Sequence, residues 1–136
     1  MTILRACIDV DDLDRGIEFY TRALGLKSGR RVEGIWAELL GASLAIDLLA
    51  KPAGSPACAG KPPLREYRRH WTPVHLDFVV DDLDAALRRA QEAGAFLERG
   101  IEEHKWGRMA NMADPFGHGF CLIQFRGRGY DEVLGG

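Results

Sequence analysis

The stretch Val10-Asp11-Asp12-Leu13-Asp14 returns as Val80-Asp81-Asp82-Leu83-Asp84, 70 positions further along a chain of 136 residues. Self-similarity at that spacing marks two copies of one supersecondary unit. In both copies the residues that follow are apolar at helical spacing: Leu13, Ile17, Tyr20 and Leu24 in the first, Leu83, Leu87 and Ala90 in the second. An aspartate in each Val-Asp-Asp stretch can accept from the free N–H groups of the first helical turn, and the further carboxylates suit the positive end of the helix dipole. Gly25 and Gly94 then supply the left-handed residue that commonly ends a helix.

The run before each helix alternates, so its residues sort onto two faces of a strand. Leu4, Ala6, Ile8 and Val10 oppose Arg5, Cys7 and Asp9; Val74, Leu76, Phe78 and Val80 oppose His75, Asp77 and Val79. The apolar faces are expected to pack on the helices, which leaves the polar faces to water or to a cavity. Arg5 and His75, which open those faces, are themselves 70 positions apart. Further strands are expected at about 29–40 and 43–49 in the first copy and about 96–102, 108–113 and 119–125 in the second. Asp114-Pro115-Phe116-Gly117-His118 reads as a hairpin turn, with proline presetting φ and glycine tolerating a positive φ; Gly41-Ala42 is the weaker counterpart.

The expected organisation is one α+β domain over 1–136, with a first module at 1–50, a linker at 51–73, a second module at 74–125 and a loosely ordered glycine-rich tail at 126–136. The linker holds Pro52, Pro56, Pro62 and Pro63 among Gly, Ala and Ser and reads as a solvated connection. Its second half, Arg65-Glu66-Tyr67-Arg68-Arg69-His70-Trp71, mixes cations with aromatics, and a short helix or a lid is the other reading.

Composition narrows the function classes. The chain is 46% hydrophobic and 28% charged, ordinary for a folded soluble protein, and 18 basic against 20 acidic residues give a net charge of −2. Neither a nucleic-acid partner nor an anionic membrane surface fits that balance. The first residues lack the pattern of a signal peptide and no apolar run approaches the roughly 20 residues that span a bilayer, so a cytoplasmic protein is expected. Cys7, Cys58 and Cys121, odd in number and widely spaced, suit reduced thiols. No Gly-x-Ser-x-Gly elbow, Gly-x-Gly-x-x-Gly run or phosphate loop supports acyl hydrolysis or nucleotide chemistry. His104 and His118 sit in turn-like stretches, and Trp36, Trp71 and Trp106 read as core or interface residues.

The opening strand, the run Asp11-Asp12-Leu13-Asp14-Arg15-Gly16-Ile17-Glu18-Phe19-Tyr20 with Leu24-Gly25-Leu26, its second copy, and Asp114-Pro115-Phe116-Gly117-His118 before the last strand together resemble the vicinal oxygen chelate superfamily. That group includes glyoxalase I, bleomycin-resistance proteins and extradiol dioxygenases. The resemblance covers nearly the whole chain. It implies paired βαβββ modules whose curled antiparallel sheets surround a cleft between them, a small-molecule ligand there, and a homodimer. In metal-binding members the ligands come from the first and last strands of each module, which carries over here to Arg5, Asp47, His75 and Cys121.

Only His75 is the usual residue at its position. Arginine stays protonated and has no lone pair for a metal, so a four-ligand site does not map onto this chain, and neither does a site of two histidines and one carboxylate. Two readings remain. In one, Asp47, His75 and Cys121 hold a divalent cation such as zinc with a position open to substrate. In the other, Arg5 stands where the metal would be, bridging to Asp47 in a partly buried ion pair, while His75 hydrogen-bonds nearby and Cys121 packs as a small hydrophobe. The second is preferred, because a guanidinium beside a divalent cation opposes its binding.

Arg5, Asp47, His75, Asp77 and Cys121, with apolar Val79, Ile123 and Phe125, have the make-up of a small-ligand pocket. The expected function is binding of a small aromatic or anionic molecule, with Arg5 placed to receive a carboxylate or phenolate and no cofactor required. The alternative is a metal-dependent glyoxalase-like lyase or isomerase, in which a cation polarises adjacent substrate oxygens. A third is a non-catalytic partner subunit.

Overall fold

The computed structural model describes residues 1–58 and 60–134, so Ala59 of the expected linker and Gly135 and Gly136 of the expected tail lie outside the described residues. The chain divides into two compact units, Met1–Arg68 and Arg69–Gly136.

In the first unit β1 (Arg5–Val10) leads into α1 (Leu13–Leu24), followed by β2 (Lys27–Val32), β3 (Trp36–Leu40) and β4 (Ala45–Ala50) in a sheet of order β1-β4-β3-β2. Asp12 caps the helix, its side chain accepting from the Arg15 N–H at 3.1 Å, and Gly25 closes it at φ 68°. The sheet face toward α1 carries Val10, Ala37, Leu39, Ile46 and Leu48, all at most 1% exposed, against Leu13, Phe19, Tyr20 and Ala23 of the helix. Removing a side chain such as Leu48 from a core packed this closely costs about 2–5 kcal/mol. A Cβ on Gly16 would sit 3.2 Å from both Val10 methyls, so the helix comes that close to β1 only because residue 16 has no side chain.

The second unit repeats the plan: β7 (Leu76–Val79), α2 (Leu83–Glu92), β8 (Phe96–Leu97), β9 (Glu102–His104), β10 (Gly107–Ala113) and β11 (Gly119–Phe125), ordered β7-β11-β10-β8 with β9 also on β10. Asp82 caps α2 through the Ala85 N–H at 3.1 Å. Asp114 organises the expected turn: its Oδ1 accepts from the N–H groups of Phe116 and His118, and Gly117 takes φ 87°. Both sheets are unclosed and antiparallel, except that the first strand returns parallel to the last, β1 with β4 and β7 with β11. The intervening helix carries the chain across the sheet face and allows that parallel pairing.

Several expectations change. The single strand read at 29–40 is two strands, because Gly34 turns the chain at φ +73°; the run at 96–102 is likewise split between β8 and β9. Residues 51–73 contain a two-stranded ribbon, β5 (Pro56–Cys58) with β6 (Lys61–Leu64). Arg65 fastens it by bonding Asp9 at 2.6 Å and the Pro56 carbonyl. The tail is ordered as far as described: Gly129–Val133 form a 3-10 helix, with Tyr130 packed on Phe125 and Trp106. Those ring contacts offset the chain entropy which made the stretch read as loose.

Candidate functional site

Strand register decides which polar residues meet. In the first unit Cys7 on β1 pairs with Asp47 on β4, and Asp47 with Glu38 on β3, so the three form a row across the sheet face away from α1. Arg5, two residues before Cys7 on that face, closes on the row. Its Nε and Nη2 donate to the two oxygens of Asp47 at 2.9 and 2.7 Å, and Nη2 also donates to Glu38 Oε2 at 2.8 Å. Arg30 donates to Glu38 from Nε at 3.0 Å and from Nη2 at 2.8 Å, and the Trp36 indole N–H donates to Asp47 at 2.9 Å.

Glu38 is only 5% exposed yet ionised, because hydrogen bonds from Arg30 and then Arg5 hold its carboxyl down to about 2. Asp47 is lowered chiefly by the Arg5 hydrogen bonds, against the opposing effect of its own burial. Arg5 is raised in turn by Asp47 and Glu38, so the guanidinium is a permanent resident cation at the position that the family resemblance assigns to a metal ligand.

The second unit builds its row from other chemistry. Asp77 on β7 pairs with Cys121 on β11, and Cys121 with Asn111 on β10. The Asn111 amide donates to Cys121 Sγ at 3.5 Å, the thiol bonds to Asp77, and His75 Nε2 lies 3.2 Å from Asp77 Oδ1. Burial pushes the Cys121 thiol up to about 12, with the Asp77 charge adding to it, so the sulfur is a neutral donor. The ligand atoms of His75, Asp77 and Cys121 all lie within 4.8 Å of one another. Nitrogen, oxygen and sulfur donors so spaced fit a borderline cation such as zinc, whose binding displaces the thiol proton. Asn111 Oδ1, buried, finds no hydrogen-bond partner among the described residues. Trp71 packs edge-on to His75 at 5.2 Å and lies flat against the backbone at Gly119, where an added Cβ would meet its ring at 2.4 Å.

Of the site residues expected from sequence, Arg5 and Asp47 therefore meet in the first unit, and His75, Asp77 and Cys121 in the second. Val79 and Ile123 pair in register beyond Asp77 and Cys121, and Phe125 continues that face. Glu38, Arg30 and Asn111 were missed. The one available signal was a polar residue set among buried ones in a strand, as in Trp36-Ala37-Glu38-Leu39 and Met109-Ala110-Asn111-Met112.

A family described as a glyoxalase-like domain matches residues 5–123. The chain belongs to that family. An uncharacterized protein of Mycobacterium bovis is 34% identical over 119 residues, covering 85% of this chain and 78% of that protein. The anthracycline biosynthesis protein DnrV of Streptomyces peucetius is 39% identical over 69 residues, which is 51% of this chain and 24% of that one. Among solved structures, TnmS3, an antibiotic binding protein from a Streptomyces species, superposes with a TM-score of 0.65 at 24% identity, covering 93% of this chain and 97% of that one. The glyoxalase-like chain thus shares the fold that its repeat, helix starts and turn led us to expect. Among the described residues no helix is long and apolar enough to cross a membrane.

Proposed function

We propose that this glyoxalase-like protein binds a small, planar, partly aromatic molecule on the sheet face opposite the helix of its first unit. The observation that carries the reading is the two-pronged grip of Arg5 on Asp47, at 2.7 and 2.9 Å. It fills one family metal-ligand position with a guanidinium and gives the first unit a set of fixed polar anchors instead of a vacant chelate. The similarity, over half the chain, to an anthracycline biosynthesis protein supports a planar polycyclic ligand. Titration with hydroxyanthraquinones, followed by quenching of Trp36, Trp71 and Trp106 fluorescence, tests this. Saturable quenching with a matching rise in melting temperature is expected, and a flat response across the series would refute it.

A second reading rests on the grouping of His75, Asp77 and Cys121 within 4.8 Å. Here the protein is a metal-dependent lyase or isomerase; the cation supplies Lewis acidity when bound, and Asp77 serves as third ligand in place of Asp47, whose oxygens are engaged by Arg5 and Trp36. Stoichiometric zinc in the purified protein, lost on His75→Ala, would favour it over the first. The family resemblance also leads us to propose a homodimer, for which light scattering should return twice the mass of the chain.

A further inference from the structure

We propose that Arg5 and Arg30 together form an oxyanion seat that receives the carboxylate of an aromatic ligand whose ring lies against Trp36. The inference rests on the small-molecule-binding reading above and names the ligand class for that site.

The two guanidiniums share one acceptor. Nη2 of each lies 2.8 Å from Glu38 Oε2, which keeps the two nitrogens within about 5.6 Å of each other, twice that distance. Two like charges that close repel, and each is held there by a carboxylate that is itself only 5% exposed. Gly29 makes the room, since a Cβ there would stand 3.0 Å from Glu38 Oε1.

A guanidinium carries five N–H donors in a planar fork. Arg5 spends Nε and Nη2 on Asp47 and Glu38, and Arg30 spends Nε and Nη2 on Glu38; Nη1 of each makes no hydrogen bond among the described residues. The side chains remain 40% and 75% exposed. Arg30 also lies 6.0 Å over the Trp36 ring, whose N–H is fixed on Asp47. Two charge-assisted donors therefore stand beside a half-buried indole. This matches a flat aromatic acid better than an isolated inorganic anion, because the four charged groups sum to zero and attract no anion at long range. The rotamers are already fixed by Glu38 and Asp47, so the ligand does not have to order them.

The test uses the whole protein and a matched pair of probes, anthraquinone-2-carboxylate and anthraquinone-2-carboxamide, compared by calorimetry. The acid is expected to bind about tenfold more tightly than the amide, the worth of one good charge-assisted hydrogen bond, and to lose most of that advantage in high salt. Arg30→Gln should bring the ratio of the two affinities to near one. Arg30→Lys, which keeps the charge and loses the fork, should leave an intermediate ratio, and Arg22→Gln on the exposed face of α1 should leave it at about ten. Equal affinities in the unaltered protein, or a preference that survives Arg30→Gln, would overturn the seat while leaving small-molecule binding in place. If neither probe binds, the binding reading for planar aromatics falls together with the seat.

Discussion

The state of Cys121 offers a sharp numerical test of the second-unit site. With the thiol pushed from the ordinary 9.0 up to about 12, its thiolate fraction near neutral pH falls by about three decades. A more basic thiolate is also a better nucleophile, and a Brønsted slope near 0.45 over those three decades returns a factor of about 20. The net expectation is thiol–disulfide exchange about 50-fold slower than for the same cysteine in the denatured chain, before the protection given by burial at 3% exposure is counted. Reaction with dithiobis(nitrobenzoate), quenched at intervals and read by peptide mass spectrometry, follows Cys121 separately from the exposed Cys7 and Cys58. Asp77→Asn should speed the native reaction, because the carboxylate is the second contributor to the shift, yet leave it slower than in denaturant, because burial is the first. A native rate within threefold of the denatured one would mean that the sulfur is a thiolate or freely accessible, and the hydrogen-bonded row would be wrong.

Other consequences concern pH and packing. Glu38, ordinarily 4.5 and held at about 2 in the folded chain, contributes stability that is present above 4.5 and lost as pH falls toward 2; acid unfolding followed by circular dichroism should show that loss, and Glu38→Gln should flatten it. Cys121 works in the opposite direction: its contribution is complete below about 9 and is lost as pH rises toward 12, so Cys121→Ser should be less sensitive to alkali in the same assay. Gly119→Ala sets a methyl 2.4 Å from the Trp71 ring and should cost about 1–3 kcal/mol in urea denaturation, a cost that disappears when Trp71→Ala is added.

Much of the architecture is legible in the sequence, and the reasons are local. The repeated Val-Asp-Asp-Leu-Asp supplies in each copy an extended residue, a capping aspartate and the first apolar residue of a helix, which a short stretch of chain can specify by itself. Alternation with a period of two sorted Arg5, His75 and Asp77 away from the helix-facing side for the same reason, whereas Asp47 and Cys121 were placed by the family resemblance. Turns at Asp114-Pro115-Phe116-Gly117 followed from proline and glycine geometry. The turn at Glu33-Gly34 was not recognised within an otherwise strand-like run, and the ordering of the tail depends on aromatic contacts between Tyr130, Phe125 and Trp106.

What the polar residues do to one another was settled only by register between strands far apart in the chain. Alternation places a residue on a face, but it does not say which neighbour stands beside it; that depends on how β3 aligns with β4 and β10 with β11. That alignment sets Glu38 beside Asp47, within reach of Arg5 and Arg30, and Asn111 beside Cys121. The sequence alone determined two copies of a strand, helix and further-strand unit, where each helix starts, and the faces on which the polar residues of the two opening strands stand. Tertiary pairing decided that one face would be held by arginines on a buried glutamate and the other by a chain of His75, Asp77, Cys121 and Asn111, because hydrogen bonds a few ångströms long form only once remote strands are locked side by side.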